Sequence, residues 1–225
     1  LWAPKDAKNV PVMVWIPGGG STNCDNNDPR FDGTAFAKDG IVLVTLNYRV
    51  NVDGFLKLED GDSDNALRDI ILGLEWVRDN IAAFGGDPKC VTVFGQSAGA
   101  THTTSLLASP KTKGLFRRAI LQSPSAIAQW GNLEEARTVT KRLADFLGVP
   151  PTREGFMSLT NEKLVEFKKL VKSLSTDPEW LVFSHGNTAL FKPYVDGDVL
   201  KARPVDALLA GAAEGVEVIV GCTRE

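Results

Sequence analysis

Gly95-Gln96-Ser97-Ala98-Gly99 sets one serine between two glycines, directly after the apolar run Val91-Thr92-Val93-Phe94 and at the start of a helix-like stretch. A serine hydroxyl is a weak nucleophile until its surroundings expose and activate it. Gly-x-Ser-x-Gly at a strand-to-helix turn supplies the exposure. Glycines on either side let strand and helix approach closely, and the strained turn pushes the hydroxyl outward as a nucleophile elbow. The same turn leaves the Ala98 N–H at a helix N-terminus, where the dipole favours a developing oxyanion. The bland alternative is a chance match among common loop residues. The strand-to-helix context is what separates the two.

An acyl-transfer serine needs further donors for the oxyanion. Gly18-Gly19-Gly20 follows an early apolar run, where such a site keeps its second donor loop. Glycine lets successive N–H groups converge with no side chain in the way. The functional reading adds the Gly19 and Gly20 N–H groups to that of Ala98. The alternatives are a tight turn or a phosphate cradle. The cradle lacks both G-x-G-x-x-G and G-K-[ST].

A base is harder to place. His102 lies five residues after Ser97 on the same helix, about 7.5 Å along and past a full turn. Its imidazole should point away from the elbow, and it reads as a structural histidine. His185 lies in Ser184-His185-Gly186-Asn187, a loop from which it could reach the serine. The order in such sites is serine, acid, histidine, and the intervening Asp145, Glu154, Glu166 and Asp177 sit in polar, surface-like contexts. Neither histidine is well placed as the base.

The elements that must position these groups follow from periodicity. Val10–Ile16, 41–46, 90–94, 118–122 and 216–220 read as strands. Leu67, Ile70, Ile71, Leu74, Val77 and Ile81 recur at helical spacing, so 66–83 reads as a helix with Asp64 as its N-cap and Gly85-Gly86-Asp87-Pro88 as its stop. Helices are also expected over 97–108, 133–147 and 161–174. Strands alternating with helices indicate βαβ units in a mostly parallel sheet with helices on both faces, the α/β-hydrolase arrangement. Residues 148–205 carry weaker strand signals and read as a cap-like excursion from the sheet. The chain opens on Leu1 and stops just after a strand-like run, so 1–225 reads as one partial domain with more chain to follow.

Composition narrows the class. The 225 residues are 43% hydrophobic and 24% charged, with a net charge of −3, which gives no basic surface for nucleic acid or acidic membranes. There is no signal peptide and no run of 18 apolar residues. Cys24, Cys90 and Cys222 are far apart and odd in number, which argues against a disulfide framework and for a reducing, cytoplasmic setting. No metal-ligand spacing is present, and no metal or organic cofactor is implied.

Several blocks in order resemble the carboxylesterase type-B family, which includes carboxylesterases, cholinesterases and bacterial para-nitrobenzyl esterases. They are Val12-Met13-Val14-Trp15-Ile16-Pro17-Gly18-Gly19-Gly20, Asn47-Tyr48-Arg49-Val50, Gly54-Phe55-Leu56, Phe84-Gly85-Gly86-Asp87-Pro88, the elbow, Phe116 to Ser123, Pro193-Tyr194-Val195-Asp196-Gly197 and Val218-Ile219-Val220-Gly221. The resemblance implies that Ser97 is the nucleophile and that Gly19, Gly20 and Ala98 form the oxyanion hole. Ser123 matches a buried serine near the triad. Trp130 falls where cholinesterase-like members place an acyl-pocket tryptophan, with a core aromatic as the alternative. The triad acid matches position 226, one past Glu225, and the family histidine comes much later. These 225 residues alone are therefore not expected to be a competent esterase.

Three departures stand out. Pro17 replaces a residue that is usually His or Tyr, Gln96 replaces a Glu, and Asn51-Val52-Asp53 fills a stretch that is usually small and apolar. Proline lacks an N–H but leaves the glycine donors intact. The reading is a serine carboxylesterase acting on small ester substrates through an acyl-serine. Its rivals are a non-catalytic adhesion or scaffold member of the same fold and a nucleotide-binding doubly wound domain. The intact elbow serine argues against the first, and the missing phosphate fingerprint against the second.

Overall fold

A computed structural model of the protein describes residues 1–124, 130–174 and 191–224. Strand β1 (Val10–Ile16) has Val12, Val14 and Ile16 fully buried on one face. Strand β2 (Val42–Thr45) is buried along its whole length, as expected of a parallel strand covered on both faces. Strands β3 (Gly86–Gln96), β4 (Arg118–Gln122) and β7 (Glu217–Gly221) complete a five-stranded sheet in the order β2-β1-β3-β4-β7. Every pair in it is parallel. Ile16 pairs with Gly95 and Gln96 with Gln122, so β1, β3 and β4 end at one level. The chain leaves β1 toward β2 on one side and returns to β3 on the other. The crevice between the carboxyl ends of β1 and β3 is thus a topological switch point, where open α/β sheets bind ligands.

Helix α3 (Asn65–Asn80) buries Ala66, Leu67, Ile70, Ile71, Leu74 and Val77 and leaves Leu72 exposed. That is one apolar stripe facing the sheet, and each fully buried Leu or Ile stabilises it by roughly 1.5–3 kcal/mol. A 3₁₀ turn over Ile81–Phe84 follows, and Gly85 ends it at φ 82°. Asp64 stands at the N-cap position but does not cap. It adopts a left-handed conformation, and its Oδ1 accepts the Tyr194 N–H at 3.1 Å.

Helix α4 (Ala98–Ala108) is buried at all eleven residues and packs on β1, β3 and β4. Its buried hydroxyls would be costly without partners. Thr103, Thr104 and Ser105 each donate to the carbonyl four residues back, at 2.8, 2.9 and 3.1 Å. The short helices α1 (Thr34–Lys38) and α2 (Asn51–Phe55) precede α3. Beyond β4, a two-residue ribbon pairs β5 (Gly131–Asn132) with β6 (Tyr194–Val195). Helix α5 (Leu133–Leu147) is capped by Asn132, which accepts the Glu135 N–H, and ends at Gly148, φ 68°. Helices α6 (Arg153–Met157), α7 (Asn161–Leu174) and α8 (Pro204–Leu209) follow, with α8 against α4. Among the described residues, 123–216 add no strand to the main sheet. The strand at 90–94 is longer than the apolar run implied, because Gly86 to Lys89 extend it along β1. The five-residue helices α1, α2 and α6 are too short to leave a periodic signal.

Candidate active site

Ser97 stands between β3 and α4 at φ 56° and ψ −122°. Non-glycine residues rarely adopt a positive φ, and holding one there costs on the order of 1–3 kcal/mol. The surroundings enforce it. The Ser97 N–H donates to the Gln122 carbonyl of β4 at 2.9 Å, and the Ser97 carbonyl accepts the Thr101 N–H at 3.0 Å, starting α4. The flanking glycines are sterically required. A Cβ on Gly99 would lie 2.0 Å from the Ile16 carbonyl oxygen, and one on Gly95 would lie 2.6 Å from the Gly99 backbone.

The glycine loop lies directly beside the serine. A Cβ on Gly18 would meet the Gln96 carbonyl oxygen at 2.6 Å and the Ser97 Cβ at 3.4 Å. Gly19 turns at φ 128° and Gly20 at φ 62°. The Gly19 carbonyl accepts from the N–H groups of Thr22 and Asn23 at 3.1 and 3.2 Å, which curls the loop. The Gly19, Gly20 and Ala98 amides donate to no protein acceptor among the described residues. Three uncommitted donors thus come from the two segments that flank the switch point, with Ser97 on one of them. Such a site can receive an acyl carbonyl and hold the negative charge that develops on its oxygen.

Two contacts tie the loop down. The Tyr48 hydroxyl donates to the Pro17 carbonyl at 2.7 Å. His102 Nε2 and Ser21 Oγ are hydrogen-bonded at 3.4 Å. The ring of His102 is fully buried, edge-on to Tyr48 at 5.0 Å and stacked on Phe55 at 5.8 Å. Burial pulls its pKa down to about 3, so the imidazole is neutral at any working pH. It is a structural histidine as the helical spacing implied, and it cannot serve as base to Ser97. The link to Ser21 is absent from the sequence reading. The only local signal is a polar ring on a helix whose every face is covered.

Trp130 is buried in the core, and its indole N–H donates to Ser105 Oγ at 2.8 Å. Ser105 lies eight residues along α4 from Ser97, about 12 Å at 1.5 Å per residue. Those are the contacts of a core aromatic. Ser123 follows β4 and is half-buried, and its N–H donates to the Gly221 carbonyl at 2.7 Å. Asp145, Glu154 and Glu166 are exposed, and Asp145 pairs with Lys141 at 2.7 Å. Asp177, His185 and Glu225 lie outside the described residues. Among the described residues there is no group of metal-ligating side chains, and no helix is long and apolar enough to cross a membrane.

A parallel sheet with a strained serine between its central strand and a buried helix, faced by a glycine loop, defines an α/β-hydrolase. The sequence profile of the Carboxylesterase family matches residues 1–225, and the chain belongs to that family. It is 38% identical over 230 residues to the para-nitrobenzyl esterase of Bacillus subtilis, covering 97% of this chain and 44% of that protein. It is 37% identical over 232 residues to a cholinesterase of Mus musculus, covering 100% of this chain and 38% of that protein. Among solved structures, it superposes on a PNB esterase with a TM-score of 0.86 at 34% identity, covering 99% of this chain and 47% of the other. The carboxylesterase of Geobacillus stearothermophilus gives 0.82 at 40% identity, covering 98% and 47%. The chain spans less than half the length of these relatives.

Proposed function

We propose that the protein carrying this chain is a serine carboxylesterase that hydrolyses small carboxylic esters through an acyl-serine intermediate. Ser97 Oγ attacks the ester carbonyl carbon, and the carbonyl oxygen takes the charge opposite the Gly19, Gly20 and Ala98 N–H groups. Collapse of the tetrahedral adduct breaks the bond to the alcohol oxygen, which leaves with a proton. Water then attacks the acyl-serine and releases the acid. His102, the one histidine among the described residues, is buried, neutral and bonded to Ser21, and does not supply the general base. Trp130 enters this reading as a core residue beneath α4 rather than as a wall of the acyl pocket.

The observation that carries the reading is the Ser97 backbone. Its positive φ at a glycine-flanked turn is a cost that folding alone does not require, placed where three donors are uncommitted. The family relatives named as esterases support the same reaction class. The test is labelling of the intact protein with a fluorophosphonate, followed by peptide mapping. The label is expected on Ser97, and Ser97→Ala should abolish it while lowering kcat on p-nitrophenyl acetate by about 10³-fold or more. A Ser97→Ala protein that keeps more than about a tenth of the turnover overturns the assignment.

A further inference from the structure

His102 is a fully buried imidazole that the proposed reaction does not use. It bridges the two halves of the proposed oxyanion hole. Ala98 opens the helix that carries His102, while Gly19 and Gly20 lie on the loop that Ser21 ends. The His102–Ser21 hydrogen bond, 81 residues apart in sequence, joins the helix to the loop. Ser21 is itself buried and held in a left-handed conformation at φ 60°. Its carbonyl accepts the Asn51 N–H at 2.7 Å, which ties the same residue to α2. At the other end of the loop, Tyr48 holds the Pro17 carbonyl and packs edge-on against the His102 ring. The three residues between these anchors are all glycines and have little stiffness of their own.

We propose that His102 and Ser21 form a positioning pair that sets the distance between the glycine-loop donors and the Ala98 donor, and so tunes oxyanion stabilisation without touching the substrate. Preorganised donors act because they need not move as charge develops. A loop displaced by a fraction of an ångström loses that advantage in the transition state while binding the ground-state ester nearly as well. Full burial among Tyr48 and Phe55 keeps the ring neutral, so Nε2 either accepts from the Ser21 hydroxyl or donates to it according to the tautomer. This proposal rests on Ser97 being the nucleophile.

The experiment compares Ser21→Ala, His102→Phe, the double variant and His102→Gln in the intact protein. Fluorophosphonate labelling of Ser97 in the wild type is checked first. Readouts are kcat and KM on p-nitrophenyl acetate, affinity for a trifluoromethyl ketone, which forms a hemiketal oxyanion on the serine, and Tm. Ser21→Ala and His102→Phe should each lower kcat by between about tenfold and 100-fold with KM nearly unchanged, and weaken the ketone by a similar factor. The double variant should be no worse than either single one. His102→Gln, whose amide can reach the Ser21 hydroxyl, should recover part of the loss. Variants that lose Tm but keep kcat and ketone affinity, or single effects that simply multiply, overturn the pairing. Should His102→Phe fail to fold, Ser21→Ala decides alone, because it removes one hydroxyl and leaves the ring in place. An unlabelled Ser97 in the wild type overturns the esterase reading, and the pairing with it.

Discussion

The Ser97 amide donates to the Gln122 carbonyl across 2.9 Å, so the turn that strains the serine is anchored to the neighbouring strand and not only to its own. Gln96 pairs with Gln122 in the ladder one residue earlier. The elbow is therefore an extension of β3–β4 pairing past the end of the regular sheet. This gives the strained backbone a fixed frame, since a positive φ persists only where its surroundings over-determine it.

The tightest point of that frame is Gly99. A methyl there would sit 2.0 Å from the Ile16 carbonyl oxygen and 2.8 Å from that of Pro17. Neither is a flexible side chain, so the backbone itself must move. Gly99→Ala is expected to destabilise the protein by about 4 kcal/mol or more, the range reserved for strain and overpacking at fixed backbone. Urea unfolding measures it. A loss below about 1 kcal/mol, the size of an ordinary substitution, would show that β1 and α4 can separate without penalty.

Asp64 supplies a pH dependence. It is fully buried, its Oδ2 has no hydrogen-bond partner among the described residues, and burial with the nearby Asp196 charge pushes its pKa well above the ordinary carboxylate range. A raised pKa means that the folded state holds the proton more tightly than the unfolded chain. Stability from this group is complete below the unfolded value of about 3.9 and is lost as pH rises toward the folded one, at up to about 1.4 kcal/mol per pH unit. Asp64→Asn keeps an oxygen for the Tyr194 N–H and removes the titration. It should raise Tm at pH 7 relative to wild type and flatten the decline above pH 4. Parallel Tm–pH curves for the two proteins would contradict this.

Trp130 and Ser105 form a buried pair in which the serine hydroxyl accepts from the indole and donates to the Thr101 carbonyl. Trp130→Phe leaves one acceptor unmet and a small void, with an expected cost of about 1–3 kcal/mol. The ratio of kcat/KM for acetyl and butyryl esters should stay as in wild type. A shifted ratio with unchanged stability would move Trp130 into the acyl pocket.

Gln96 is exposed beside the glycine loop. A neutral amide offers hydrogen bonds without net charge, so uncharged esters should be preferred over choline esters. Gln96→Glu is expected to raise kcat/KM for a choline ester relative to its uncharged isostere, more at low than at high salt. A strong wild-type preference for the choline ester that the substitution leaves unmoved would count against it.

Local patterns alone determined a good part of this protein. Apolar runs without helical period located β1 and β4 to the residue, helical spacing located α5 and α7, and the glycines around Ser97 marked a strand-to-helix turn. These features depend on interactions within a few residues, so they are written in consecutive positions. Only the tertiary structure decided that Asp64 turns from its own helix to the Tyr194 amide 130 residues away, that Trp130 spends its indole N–H on Ser105, and that His102 meets Ser21. Asp64 sits where a cap belongs, and any helix-spacing argument assigns it one. Its carboxyl is diverted because a buried strand amide needs an acceptor, and which amide arrives there is set by how the sheet, α3 and the β5–β6 ribbon pack together.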